Sequence, residues 1–148
     1  MKYLIISIIG LIIGSCGETY SNEDKTNFDK QIQDYLTEKG IECDRSPSGM
    51  YYKVIEEGEG RKIIYKDVVS FKYKGEFLDG KIFDEQKEPL EFHVRQLIGA
   101  WKEIMLEMKE GSMAFLVAPP NLCYGSYELE SIPPHSILVF NMTVMDIK

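Results

Sequence analysis

A chain of 148 residues and 17.0 kDa is long enough for one domain of ordinary size and too short for two joined by a linker. Apolar residues make up 44% of it and charged residues 28%, proportions that exclude wholesale disorder and collagen-like or low-complexity architectures. The 24 acidic residues outnumber the 17 basic ones, for a formal charge of -7. Such a surface repels phosphate backbones, and no run of Lys and Arg exceeds Arg61-Lys62, so nucleic acid is excluded as an expected partner.

At the N-terminus Lys2 precedes an apolar run, Tyr3 to Ile13, that is shorter than the roughly 18 residues of a membrane-spanning helix and suits the core of an export signal. It ends in Ile13-Gly14-Ser15-Cys16, which resembles the bacterial lipoprotein box, with Cys16 as the residue that is lipidated and becomes the new N-terminus. Residues 1–15 are therefore expected to be a signal peptide. The mature chain is expected in the bacterial cell envelope, facing the periplasm, held to the inner or outer membrane by acyl chains alone. In that oxidising compartment Cys43 and Cys123 form either one disulfide or two small buried hydrophobes, a choice that spacing leaves open. His93 and His135 lie far from any Cys-x-x-Cys or His-x-x-x-His spacing, which makes them surface or turn histidines and leaves no expected metal site.

Gly17 to Asn22 reads as a polar tether. A helix over about Asp24 to Lys39 follows, capped by Ser21 or Asn22, with Phe28, Ile32, Tyr35 and Leu36 on one narrow stripe and Gly40 at the C′ position. Ile41 to Gly49, with Pro47, is a connector. From Met50 the period changes to two. Val69, Phe71, Tyr73, Gly75 and Phe77 form the apolar face of a half-buried strand, Asp79-Gly80 turns it, and Ile82-Phe83 is a short return strand. Leu90 to Val94 alternates as a further strand, Met113 to Ala118 is apolar on both faces as a central strand should be, and Ile137 to Ile147 is the last strand. One helix interrupts the series, with Ile98, Trp101, Ile104, Met105 and Met108 at helical spacing and Gly111 closing the segment. The expected architecture is α+β: about five antiparallel strands wrapped on one short helix, with an extra N-terminal helix.

The chain offers little for covalent chemistry. There is no Gly-x-Ser-x-Gly nucleophile motif and no histidine in a recognisable pairing, and Gly58-Glu59-Gly60 lacks the lysine and helix start of a phosphate loop, so it reads as a hairpin or strand-end turn. What remains is a set of aromatic and aliphatic residues with one acid, Asp84, beside Phe83. Phe71-Lys-Tyr73-Lys-Gly75, Leu78-Asp79-Gly80-Lys-Ile-Phe83-Asp84, Ile98-Gly-Ala-Trp101, Tyr124-Gly125 and Ile132-Pro133-Pro134-His-Ser-Ile-Leu138-Val-Phe140 resemble, in that order, the motifs of FKBP-type peptidyl-prolyl cis-trans isomerases. The resemblance covers residues 49–148, leaving residues 16–48 as the lipidated cysteine, tether and N-terminal helix. A weaker resemblance is to small lipoprotein isomerases of Bacteroidota, some associated with gliding motility.

The family resemblance implies a half-barrel sheet curled around the helix, with a pocket between them. Trp101 would be the floor, Tyr73, Phe83 and Phe140 the walls, and Ile98 and Ile132 would supply rim and backbone contacts. Tyr124 would offer its hydroxyl to a substrate carbonyl, and Asp84 would orient the tyrosine side or sit near the twisting amide. Three positions depart from the family pattern: Leu90 replaces a frequent aromatic, the Ser126 to Ser131 loop is shortened and acidic, and Cys123 replaces a small residue. The implied partners are proline-containing exported proteins, with macrolides as inhibitors. No cofactor is implied and a monomer is expected. The alternative is a proline-segment-binding chaperone or assembly factor that uses the same pocket without turnover.

Overall fold

The computed structural model describes residues 20–148, so the signal-peptide and Cys16 expectations fall outside the described residues. In chain order the elements are α1 (Asn22–Lys39), β1 (Asp44–Arg45), β2 (Tyr51–Glu56), β3 (Glu59–Lys62), β4 (Val68–Glu76), β5 (Ile82–His93), α2 (Gly99–Glu107), β6 (Lys109–Glu110), β7 (Met113–Ala118) and β8 (Leu138–Ile147). The main sheet has six strands in the order β1-β2-β7-β8-β4-β5, every neighbouring pair antiparallel, and β3 pairs with β6 in a separate ribbon. The sixth strand is the two-residue β1, inside the segment expected to be a connector.

Strand β4 alternates as its sequence requires, with Val69, Phe71, Tyr73 and Gly75 buried and Ser70, Lys72, Lys74 and Glu76 partly exposed. The two strands expected at Ile82-Phe83 and Leu90–Val94 are one continuous edge strand, β5. Its register explains how. Phe71 faces Leu90 and Tyr73 faces Gln86, so residues 87–89 loop out opposite Lys72. Pro89 falls in that bulge, where its missing N–H breaks no ladder bond.

The sheet separates two apolar clusters. On one face α2 packs Ala100, Trp101, Ile104 and Met105 against Val69, Phe71, Tyr73, Leu116, Phe140 and Met142. On the other, α1 lays Ile32 and Leu36 on Tyr51, Phe115, Val117 and Val139. Full burial of each such aliphatic side chain contributes about 1.5–3 kcal/mol, which is how a helix with one narrow stripe stays docked. Ser21 caps α1 with a full capping box: Asp24 N–H donates to Ser21 Oγ at 3.0 Å and Ser21 N–H to Asp24 Oδ2 at 3.1 Å. Gly40, at φ 65°, ends the helix in the left-handed conformation that glycine adopts without penalty.

Asp67 fixes the entry to β4. Its carboxylate accepts from Arg61 Nη1 at 2.6 Å and Nη2 at 3.1 Å and from the Ile64 amide at 2.9 Å, while its carbonyl accepts from Val94 N–H at 3.0 Å. The last bond ties β4 to the short 3-10 turn, Val94–Gln96, that leads into α2. The Arg61 guanidinium holds the Asp67 carboxyl below the ordinary carboxylate range against the opposing effect of burial. Both remaining cysteines are free thiols, Cys43 beside the α1 cluster and Cys123 beside the α2 cluster.

Candidate active site

Trp101 sits in the first turn of α2 and is 1% exposed. The ring centroids of Tyr73, Phe140 and Phe71 lie 4.6, 5.2 and 5.5 Å from its own, the last two edge-on at 80° and 84°. These are the separations and angles at which the negative ring face meets a positive edge. The strand period puts Phe71 and Tyr73 on one face of β4, and the antiparallel pairing of Gly75 with Phe140 brings the β8 ring alongside.

Phe83 and Asp84 are consecutive, and strict alternation would send them to opposite faces. A β-bulge prevents this. Gly75 pairs with Asp84 and Glu76 with Ile82, so Phe83 has no partner in the ladder. The result is that Phe83 packs edge-on against Phe140, centroids 5.8 Å apart, while Asp84 reaches Tyr73 on the same side. Gly75 makes room for both rings: a Cβ there would lie 2.5 Å from Phe83 Cζ and 3.1 Å from Phe140 Cε1. This is the close-approach use of glycine in a strand.

The polar part of the cluster is small. The Tyr73 hydroxyl donates a hydrogen bond to Asp84 Oδ2. Asp84 Oδ1 and Trp101 Nε1 are buried with no hydrogen-bond partner among the described residues. Burial raises the Asp84 carboxyl above its ordinary value; the Tyr73 hydroxyl opposes that shift, as does the Glu85 backbone amide, which closes no bond onto Oδ1. Tyr73 and Tyr124 are both pushed well up, by burial first and by the neighbouring Asp84 among the further causes. Both therefore stay protonated and able to donate across the physiological range.

Ile98 caps the N-terminus of α2 and Ile132 lies in the loop before β8; each is 2% exposed and belongs to the cluster around Trp101. All eight residues expected from the sequence, Tyr73, Phe83, Asp84, Ile98, Trp101, Tyr124, Ile132 and Phe140, thus border one apolar cluster. Phe77, Leu90, Phe92, Leu122 and Leu129 also pack on it. Of these, Phe77 lies 5.1 Å from Phe83, one residue past the end of β4, and belongs to the apolar alternation that the sequence shows through Val69, Phe71, Tyr73 and Gly75. Leu129 sits in an irregular loop with no periodicity to mark it.

Two concavities open elsewhere on the surface, the second backed by Tyr73, Ala114 and Met142 of this cluster. One, of about 820 Å³, runs between the end of α1 and β1–β2 beside Cys43, and the other, of about 350 Å³, crosses the outer sheet face between Ile55 and Gln86. Each sets charged and polar side chains about a single aromatic residue, Tyr51 in the first and Tyr73 in the second, whereas several rings converge only around Trp101 among the described residues, so the candidate site is the Trp101 cluster. Among the described residues no group of three metal-ligating side chains converges. Around Trp101 there is no nucleophile beside a base. The arrangement suits non-covalent work: holding a flat or compact apolar group against Trp101, with a neutral hydroxyl from Tyr124 and a tyrosine-held carboxylate at its edge.

Residues 59–145 match the model of the family described as FKBP-type peptidyl-prolyl cis-trans isomerase. The chain is 38% identical over 117 residues to the FKBP-type peptidyl-prolyl cis-trans isomerase FkpA of Escherichia coli strain K12, covering 77% of this chain and 43% of that protein. To the probable FKBP-type isomerase of Haemophilus influenzae it is 34% identical over 134 residues, covering 88% of this chain and 55% of that one. The crystal structure of FkpA from Escherichia coli superposes with a TM-score of 0.74 at 34% identity, over 85% of this chain and 62% of that one. The chain spans about half the length of the relatives it matches.

Proposed function

This chain belongs to the FKBP-type peptidyl-prolyl cis-trans isomerase family, and we propose that it catalyses rotation about X-Pro peptide bonds in exported proteins. The observation that carries the reading is the Trp101-floored aromatic cluster whose polar edge is a carboxylate held by Tyr73.

The physics of the reaction asks for such a site. Rotating an X-Pro amide breaks resonance across a barrier of roughly 18–20 kcal/mol without cleaving a bond. The planar amide is polar and hydrated through its charge-separated form, while the twisted amide carries less charge on oxygen. A water-poor aromatic pocket therefore favours the transition state over the ground state. The proline ring stacks on Trp101 between Tyr73, Phe83 and Phe140. The Tyr124 hydroxyl donates to a substrate carbonyl, and Asp84 holds Tyr73 and presents its unpaired Oδ1 to the amide carbon as that carbon loses conjugation. Lowering the barrier by about 5–7 kcal/mol accelerates rotation roughly 10⁴–10⁵-fold.

Uncatalysed isomerisation takes tens of seconds, long enough to stall a newly exported chain. The proposed setting is the cell envelope, with residues 1–15 as the signal, Cys16 as the lipid anchor, residues 16–48 as tether and N-terminal helix, and residues 49–148 as the isomerase domain acting as a monomer. Macrolides that fill the pocket are the expected inhibitors. A protease-coupled assay on short X-Pro peptides tests the activity, with acceleration in proportion to protein concentration expected. Peptide binding with no acceleration would instead make the protein a chaperone or assembly factor that holds proline segments.

A further inference from the structure

Tyr20 lies outside the family-matched segment, immediately before the Ser21 cap of α1, and is only 8% exposed. Its ring meets Phe28 edge-on at 5.2 Å and the His135 imidazole edge-on at 5.6 Å, and its hydroxyl hydrogen-bonds His135 Nδ1 at 2.8 Å across a separation of 115 residues. His135 is unusual in its own right. At φ 60° it is the one non-glycine with positive φ among the described residues, a conformation that costs about 1 kcal/mol or more and persists where the surroundings dictate it.

Two bonds dictate it here. The His135 amide donates to the Gly125 carbonyl at 2.7 Å, and the ring is held by Tyr20. Gly125 and His135 are the two ends of the segment that flanks the candidate active site, so their bond closes its base. Tyr124 stands at one end and Ile132 near the other. Inside it, Leu129 N–H donates to Ile132 C=O at 3.0 Å, Ile132 N–H donates back to Leu129 C=O at 3.3 Å, and both side chains pack on the Trp101 cluster. His135, at the end of this segment, is thus fastened to the residue before α1's cap.

From this geometry we infer that Tyr20, acting through His135, is a positioning residue for the pocket rim: it sets Tyr124 and Ile132 for substrate binding from outside the catalytic domain. This rests on the isomerase reading. It places the N-terminal segment in control of affinity, while the aromatic floor controls the twist.

Tyr20→Phe tests it in the full chain, because it deletes the hydroxyl and keeps both ring contacts. The expected result is a KM for an X-Pro tetrapeptide raised about three- to tenfold, the loss of one ordinary hydrogen bond, with kcat within about twofold of wild type. The Leu129 and Ile132 amides should exchange their hydrogens several-fold faster, with β4 and β8 unchanged. His135→Gly, which relieves the backbone cost and removes the same bond, should raise KM similarly without losing stability, and adding Tyr20→Phe to it should change nothing further. Unchanged KM together with unchanged exchange at Leu129 and Ile132 overturns the inference, as does a fall in kcat alone. If the wild-type chain shows no isomerase activity, the isomerase reading fails; the exchange measurement then decides the rim contact, and unaltered protection in Tyr20→Phe refutes it.

Discussion

Gly75→Ala adds a single methyl at the one place where two walls of the aromatic cluster cross the backbone. The new Cβ would lie 2.5 Å from Phe83 Cζ, 2.8 Å from Phe83 Cε2 and 3.1 Å from Phe140 Cε1. Carbon atoms rest at about 3.5–4.0 Å, so the rings must retreat by about 1 Å in total. Phe140 is 1% exposed and wedged against Trp101, whereas Phe83 is half-buried on the edge strand. Phe83 therefore moves, away from Phe140 and out of the aromatic cluster. Overpacking of this kind costs about 1–3 kcal/mol, offset by about 0.5–1 kcal/mol from the stiffer unfolded chain, since Gly75 does not occupy positive φ. The net destabilisation is about 0.5–2 kcal/mol, a fall in Tm of only a few degrees. Activity should suffer more, because a displacement near 1 Å in a positioning group can lower turnover by up to about 100-fold. We expect kcat/KM in the protease-coupled assay to drop about 10- to 100-fold while circular dichroism stays native, and Phe83→Leu in the same chain to restore the lost stability. A Gly75→Ala variant with wild-type kcat/KM and a raised Tm would show that Phe83 and Phe140 do not need the space at Gly75.

Asp84→Leu should keep the fold, cut turnover strongly and weaken macrolide binding, since it removes the polar handle without opening a cavity; an unfolded variant whose residual folded fraction is fully active would contradict the assignment. Because burial raises the Asp84 carboxyl in the folded state, its contribution to stability is fully present below the unfolded value and is lost as pH rises through the folded one. Urea midpoints should therefore shift in favour of Asp84→Asn over wild type as pH rises from below about 4 to neutrality. Asp67 has the opposite sign: its lowered folded value gives stability present at neutral pH and lost as pH falls. Asp67→Asn should cost about 1.5–3 kcal/mol at pH 7, with the deficit shrinking in acid. Trp101→Leu should lower both activity and stability, the latter by about 1–3 kcal/mol, as read by rate and urea midpoint together. Cys16→Ser should move the protein from the detergent phase to the aqueous phase with its folded domain intact; unchanged partition would refute the lipid anchor.

The elements that were legible in the sequence are those where one local rule acts alone. Ser21 followed by Asp24, the stripe through Ile32 and Leu36, and Gly40 mark α1 to within two residues of its observed start. The alternation through Val69 to Gly75 marks β4 with its faces correct. Rules of this kind fail where register breaks. Pro89 and the polar run before it read as a gap between two strands, yet an edge strand absorbs them as a bulge. The second bulge is the more consequential one: period-two reasoning separates Phe83 from Asp84, and only the unpaired position of Phe83 opposite Gly75 and Glu76 puts both toward Trp101. The aromatic residues themselves are marked only by motif resemblance, because each alone is equally at home in a core. Strand β1 has no sequence signature, since its two exposed residues, Asp44 and Arg45, carry no periodicity.

Whether the cluster around Trp101 lowers the barrier to amide rotation is decided by NMR exchange spectroscopy on an X-Pro peptide at equilibrium with substoichiometric full-length protein. Without protein the cis and trans resonances interconvert over tens of seconds and show no exchange cross-peaks at sub-second mixing times. With it, cross-peaks should appear whose build-up rate grows in proportion to protein concentration and collapses in Asp84→Leu. Peptide resonances that shift on binding while cis and trans remain unexchanged would contradict it.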